Sequence, residues 1–196
     1  MFVTFEGVDG SGKSTQAELL RGGLAAQGRD VVATREPGGT PLGERIRELL
    51  LDGEAMGPWA EAALFAAARA ELARDVIAPA LERGADVVCD RYVDSSLVYQ
   101  GIARGLGISA VLELNLLATS HLLPDRTFVL VVDPDVAHDR LGPRRDRIER
   151  EDETFRRSVA DGYRRLADLF PERVRALDGS LPAAELARLV LAELDV

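Results

Sequence analysis

The stretch Gly7-Val8-Asp9-Gly10-Ser11-Gly12-Lys13-Ser14-Thr15 contains the only lysine of the chain, and the other 23 of its 24 strongly basic residues are arginines. The spacing G-x-x-x-x-G-K-S lets glycines turn backbone N–H groups inward around the phosphates of a nucleoside triphosphate. Lys13 is placed to reach the β- and γ-phosphates, and Ser14 offers a hydroxyl to Mg²⁺. A compact ammonium suits such a site better than a planar guanidinium. Asp9 would be repelled by those phosphates, so a contact to a sugar hydroxyl or to Mg²⁺ through water is expected on the acceptor side. Further along, Asp90-Arg91-Tyr92 follows the apolar run Val87-Val88-Cys89. A carboxylate at the C-terminal end of a parallel strand beside the loop can hold Mg²⁺ through water, and Arg91 would point at phosphate.

Those residues need a frame. Met1 to Glu6 reads as a short apolar strand, and Lys13 to Gln27 as a helix with Leu19, Leu20 and Leu24 at helical spacing. This strand–loop–helix context is what the phosphate loop requires. A second strand over Asp30 to Thr34 runs into the turn Arg35-Glu36-Pro37-Gly38-Gly39. Pro41 opens a helix through Leu51, and Trp59 to Arg83 reads as one long Ala-rich helix. Strands over Ala85–Asp90, Thr127–Asp133 and Arg173–Leu177 alternate with helices over Val93–Gly105 (partly loop), Ile108–Ser120, Val136–Leu141, Glu153–Leu169 and Ala183–Leu194. Such alternation predicts an α/β fold, a parallel sheet covered by helices on both faces. With no repeat or linker in 196 residues, a single domain over 1–196 is expected.

Composition narrows the classes. A net charge of −9 argues against a general nucleic-acid surface, so phosphate binding must come from local arginines and backbone amides. No apolar run approaches the roughly 18–20 residues that span a bilayer, and no membrane partner is expected. The N-terminus lacks the basic start of a signal peptide. A single cysteine, Cys89, fits a reducing, cytoplasmic setting. With its one lysine in the loop, the chain cannot carry the Asn-Lys-x-Asp motif that reads guanine, and the transporter signature Leu-Ser-Gly-Gly-Gln is missing. A small-molecule kinase is favoured over a regulator that hydrolyses ATP and acts through a protein partner.

The phosphate loop, Thr34-Arg35-Glu36-Pro37-Gly38-Gly39-Thr40-Pro41-Leu42-Gly43-Glu44, Asp90-Arg91-Tyr92 with Ser95-Ser96 and Tyr99-Gln100-Gly101, and Asp146-Arg147-Ile148-Glu149 together resemble the thymidylate kinases. The matches fall in the family's order over about three quarters of the chain. The resemblance implies a P-loop NTPase fold with a five-stranded parallel sheet, Mg²⁺, a homodimer, and the reaction ATP + dTMP ⇌ ADP + dTDP. Kinases for another nucleoside monophosphate or a deoxynucleoside are the nearest alternatives. It also implies that Phe65, Arg69, Ser96 and Gln100 line the thymine pocket. Phe65 and Arg69 lie four apart on one helix face, so ring and guanidinium could stack a pyrimidine and donate to its carbonyl. Tyr99 matches the tyrosine that crowds the sugar 2′ position. Glu36, Arg47 and Arg91 match positions around the acceptor phosphate and its metal, and Pro37 is expected to stiffen the loop that aims Glu36.

Five arginines, Arg140, Arg144, Arg145, Arg147 and Arg150, crowd 11 residues around Gly142-Pro143. The segment, about 140–152, reads as a short lid that closes over ATP. In the resembled family a catalytic arginine comes from the phosphate loop or from the lid. Here Val8, Asp9, Gly10 and Ser11 exclude the loop, so the lid must supply it. Arg147 is the first candidate, with Arg140 and Arg144 behind it. Gly142-Pro143-Arg144-Arg145 departs from the family's alternating Arg/Gly pattern, and Ser158 stands where an arginine is frequent. The cysteine and both histidines, His121 and His138, are expected to be chemically idle. Replacing Lys13 by alanine should abolish turnover in a coupled ADP-release assay and leave the circular dichroism spectrum unchanged; near-normal kcat would refute the assignment.

Overall fold

The computed structural model describes residues 1–141 and 145–196, so the lid candidate Arg144 lies outside the described residues. Five strands, β1 (Phe2–Glu6), β2 (Val31–Arg35), β3 (Asp86–Asp90), β4 (Arg126–Val131) and β5 (Val174–Asp178), form one parallel sheet in the order β2-β3-β1-β4-β5. Side chains alternate across it. Phe2, Val87, Cys89 and Val129 enter one core, whereas Val3, Phe5, Val88 and Phe128 enter another. Both faces are therefore apolar, which is why β1 and β3 read as continuous apolar runs.

Helix α1 (Lys13–Ala26) covers one face through Ala17, Leu20 and Leu24, backed by Val190 of α9 (Ala183–Glu193). The opposite face carries α3 (Pro58–Leu72), α5 (Val93–Ser96), α6 (Ile108–Ala118) and α8 (Glu153–Leu169). Helix α2 (Pro41–Leu51) packs on α3 through Ile46, Leu50 and Ala68. It begins where expected because Thr40 Oγ1 accepts from Gly43 N at 3.0 Å and Pro41 needs no partner for a missing N–H. Asp133 likewise caps α7 (Pro134–Asp139), accepting from the amides of Asp135 and Val136.

The long helix predicted over Trp59–Arg83 is not uniform. After α3 the backbone widens into a π-helical stretch, Ala73–Ile77, before α4 (Ala78–Glu82). Pro79 lacks an N–H and its ring crowds the carbonyl four residues back, so the turn ahead of it opens. A second π-helical stretch, Leu97–Ala103, follows α5 and carries Tyr99 and Gln100. Widened turns of this kind often mark functional positions, because they rotate side chains out of regular register.

The crossovers leave β1 central, with β3 on one side and β4 on the other. Phe5 is level with Asp90, and Asp90 with Arg35. The C-terminal ends of these strands define the crevice where ligands bind in open parallel sheets.

Candidate active site

The phosphate loop joins β1 to α1 and takes its form from three glycines with positive φ, Gly7 (138°), Gly10 (83°) and Gly12 (97°). A Cβ on Gly10 would lie 2.1 Å from the carbonyl oxygen of Ala137, so only glycine lets α7 approach the loop this closely. At the start of α1 no side chain caps the helix and no acidic residue stands in the first turn. Its leading N–H groups are thus free to receive phosphate oxygens, with the helix dipole favouring negative charge.

Lys13 is 6% exposed, donating to Val8 O at 2.8 Å with Asp9 Oδ1 at 3.7 Å. Burial and the nearby Arg91 charge lower its pKa against the pull of Asp9 and Asp90. Ser14 Oγ donates to Asp90 Oδ2 at 2.5 Å, while Asp90 Oδ1 is buried without a hydrogen-bond partner among the described residues. One hydroxyl and one carboxylate are a fitting donor set for Mg²⁺, which keeps several waters and leans on substrate phosphates.

Arg91 follows Asp90 with φ 71°, a left-handed conformation that costs a non-glycine residue on the order of 1 kcal/mol. Its surroundings hold it there. The amide donates to Phe5 O, and the guanidinium donates to Asp9 Oδ1 (2.5 Å), Ser95 Oγ (3.0 Å) and the Tyr163 hydroxyl (2.9 Å). It also lies 5.4 Å from the centre of the Tyr99 ring. Desolvation pushes Asp9 up, but Arg91 and Lys13 outweigh it and hold the carboxyl well below the usual range. Burial keeps Tyr99 protonated, its hydroxyl 3.4 Å from Asp9 Oδ2.

A cleft of about 620 Å³ runs from Gly12, Lys13 and Ser14 to Phe65, Ser96 and Gln100. Glu36, Pro37, Arg47, Asp90, Arg91, Tyr99 and Arg140 also border it. Arg47 Nη1 donates to Pro37 O at 2.8 Å and so braces the turn after β2, whose Glu36–Pro37 bond is cis.

Arg69 departs from expectation. It is 1% exposed and lies beneath the pocket instead of bordering it. Nε and Nη2 reach Glu36 Oε2 at 2.7 and 2.5 Å, Nη2 also donates to Tyr92 O at 3.0 Å, and Nη1 donates to Ser96 Oγ at 2.9 Å and to Asn115 Oδ1. Four hydrogen bonds and the ion pair to Glu36 hold the guanidinium against the protein interior in this arrangement. The physical reason is burial: a cation this far from water must be fully bonded. Glu36 Oε1 remains buried with no donor among the described residues, and burial raises the Glu36 carboxyl to about 7 against the pull of Arg69.

The lid arginines separate. Arg140 Nη1 donates to Gly10 O at 3.3 Å and borders the cleft at the phosphate loop. Arg145 lies against the ring of His138, and Arg150 donates its amide to Asp146 O. Arg147, the first candidate, is brought to the other wall. Its amide and Nε donate to Leu51 O and Leu50 O at the end of α2, and Nη1 pairs with Glu61 at 2.8 Å. Asp146 and Glu149 flank it in a reciprocal turn: Asp146 Oδ1 accepts from the amides of Ile148 and Glu149, and Asp146 N donates to Glu149 Oε2. The Asp-Arg-Ile-Glu motif is thus, in its acidic positions, a backbone-capping device.

Glu61 was not singled out from the sequence, although it stands four and eight residues before Phe65 and Arg69 on one helix face. Glu6, Asn115 and Tyr163 were missed as well, each being an interior polar group whose partners are distant in sequence. Glu6 is fully buried, accepting from the amides of Tyr92 and Ser95 and from the hydroxyls of Ser95 and Tyr163.

Taken together, a phosphate loop at the switch point of a five-stranded parallel sheet and a cleft leading to an aromatic-walled pocket define a P-loop nucleotide kinase. The thymidylate kinase family model matches residues 5–190. A thymidylate kinase of Symbiobacterium thermophilum is 50% identical over 96% of this chain and 89% of that protein, and one of Caldanaerobacter subterraneus is 45% identical over 97% and 92%. A crystal structure of thymidylate kinase from Ehrlichia chaffeensis superimposes with a TM-score of 0.84 at 34% identity, covering 100% of this chain and 98% of that one. The chain belongs to the thymidylate kinase family.

Burial and the neighbouring Asp94 charge push the Glu6 carboxyl to about 7, above its ordinary 4.5. Between those values the folded state binds a proton that the unfolded chain releases, so stability falls as pH rises through that window. Asp9 acts oppositely but only as pH falls below about 4. Glu36, also raised to about 7, acts with the same sign, so chemical unfolding should lose stability between about pH 4.5 and pH 7, and Glu6→Gln should remove only the Glu6 share, on the order of 2 kcal/mol. Parallel profiles for the two proteins would remove Glu6 as the cause.

Proposed function

We propose that the cleft transfers the γ-phosphoryl group of ATP to dTMP, giving ADP and dTDP, a step that supplies dTTP synthesis. The observation that carries this reading is the continuity of one cleft between the uncapped α1 N-terminus and the Phe65 pocket. Its lining places phosphate-binding groups at one end and an aromatic wall with polar side chains at the other.

The backbone of Gly7–Thr15 cradles the donor phosphates and Lys13 neutralises them. Ser14 and Asp90 would hold Mg²⁺, which would supply positive charge to offset that of the phosphates. Arg91 and Arg47 face the acceptor phosphate, with Glu36 and Pro37 shaping the turn beside it. Asp9 and Tyr99 form the wall expected against the deoxyribose. Phe65 supplies the stacking plate, Ser96 and Gln100 the polar edge. Arg69 serves this pocket from below, fixing Glu36 and Ser96 in place. Phosphoryl transfer through a loose transition state depends on alignment and charge stabilisation. The acceptor is already largely a dianion at neutral pH, since the second phosphate pKa is near 6, and no general base is needed.

The phosphoryl-stabilising arginine is assigned to Arg140, which already stands at the phosphate loop, ahead of Arg147, with Arg144 still a candidate. A homodimer in the cytoplasm completes the proposal. Among the described residues no helix is long and apolar enough to cross a membrane, and Trp59 and Leu117, both more than half exposed, offer apolar surface to a second copy.

Steady-state assays with MgATP and dTMP, dUMP, dCMP, dGMP and thymidine test the substrate. The kcat/KM for dTMP should exceed that for dCMP roughly 100-fold or more, since a buried hydrogen-bonding edge rejects the wrong base. A preference for any other acceptor would replace this reading with a sister kinase. Arg140→Met should lower kcat about 100-fold with the KM for dTMP little changed. A change confined to KM would make Arg140 a binding residue.

A further inference from the structure

Glu61 is 1% exposed, and its two oxygens receive four donors. Oε1 accepts from Gln100 Nε2 at 2.9 Å and from Arg104 Nε at 3.2 Å. Oε2 accepts from Arg104 Nη2 at 3.1 Å and from Arg147 Nη1 at 2.8 Å. Arg104 is itself braced by Glu151 at 2.6 Å and by the Phe155 ring, 4.4 Å away. Burial pushes Glu61 up, yet the bonds from Arg104, Gln100 and Arg147 prevail and hold it below the usual range, so it stays ionised.

An ionised carboxylate can only accept hydrogen bonds. Whatever stands against Oε1 must therefore present a donor, and the Gln100 amide has one orientation that satisfies this: Nε2 toward Glu61, carbonyl Oε1 turned away. Gln100 is 1% exposed and borders the cleft beside Phe65. Its free carbonyl is then an acceptor for the edge of a base stacked on Phe65.

We propose that Glu61 is a positioning residue for base selection, which fixes the Gln100 amide with its carbonyl toward the pocket so that the site accepts a pyrimidine bearing a proton on N3 and rejects one with a bare N3. This rests on the reading of the cleft as a dTMP site. Thymine offers the N3–H that Gln100 Oε1 needs, whereas cytosine offers a lone pair facing another lone pair. Glu61→Gln inverts the logic. The new side-chain oxygen is drawn to the two arginine donors at the Oε2 position, its NH₂ faces Gln100, and Gln100 turns over to accept from it, presenting NH₂ to the base.

The test is kcat/KM for dTMP and dCMP in wild type, Glu61→Gln and Glu61→Asp. The dTMP-to-dCMP ratio should fall at least about tenfold in Glu61→Gln, a change of roughly 1.4 kcal/mol in discrimination. It should stay within about threefold of wild type in Glu61→Asp, which keeps the charge. Equal losses on both nucleotides in Glu61→Gln, or a collapsed ratio in Glu61→Asp too, would reduce Glu61 to a packing role and overturn the proposal. If neither variant folds, side-chain amide NMR of the wild type decides it. A Gln100 Nε2 proton should be shifted downfield of those of the exposed Gln27, and a solvent-like position would overturn the bond. Failure of the wild type to phosphorylate dTMP would instead sink the functional reading itself, a distinguishable result.

Discussion

Buried charge must be compensated, and this constraint arranges the whole acceptor side of the molecule. Arg69, Glu36, Glu61 and Glu6 are each at most 5% exposed. Removing one partner from such a group costs about 3–5 kcal/mol, because the remaining charge is stranded away from water. The pocket floor is therefore a set of mutually fixed ions. Glu36 and Ser96 are held by Arg69, Gln100 by Glu61, and Arg91 by Asp9, Ser95 and Tyr163. A rotamer change at one position would strand another, so the walls of the cleft are formed before any substrate arrives. Such preorganisation reduces the ordering cost of binding.

The donor side works on a different principle. There the groups that matter are backbone amides, and what the sequence must supply is freedom from competitors. No side chain caps α1, and positive φ at Gly7, Gly10 and Gly12 keeps the loop open toward the cleft. Lys13 and Asp9 are paired within the loop, but Asp9 is drawn mainly to Arg91. That pairing links the phosphate loop to the end of β3, since the loop's acid is neutralised by the cation that follows Asp90.

Residues whose task is written into local spacing were legible from the sequence. The phosphate loop, the Pro41 start of α2 and the strand-end Asp90 all depend on neighbours within a few positions, and their elements fall within a residue or two of expectation. Arg69 was not legible, because its role depends on Glu36 and Asn115, 33 and 46 residues away. Periodicity put it on the face of Phe65, which is right, yet could not show that Asn115 and Tyr92 would consume its donors. Glu61 shares that face and went unread because an acid in an Ala-rich helix ordinarily faces solvent. The two π-helical stretches were hidden for a similar reason, since a widened turn preserves helical composition. Arg147 illustrates the limit most directly: its motif marks a capped turn, and only the fold shows which wall that turn is fastened to.

The two lid arginines at the borders of the segment pull toward opposite walls, and their energetics differ. Arg147 is tied by two carbonyls of α2 and by a buried carboxylate, bonds whose loss would leave Glu61 short of a cation. Arg140 holds Gly10 O through a single exposed bond at 3.3 Å, of the kind that contributes at most about 1 kcal/mol. The proposed phosphoryl-stabilising role asks an arginine to leave its resting partner at little cost, which suits Arg140 better than Arg147. Arg147 is fixed to Glu61, the same carboxylate that holds Gln100. In the proposed reaction, then, base selection and phosphoryl stabilisation are separated along one short segment, with Arg147 anchored beside Glu61 and Arg140 at the phosphate loop.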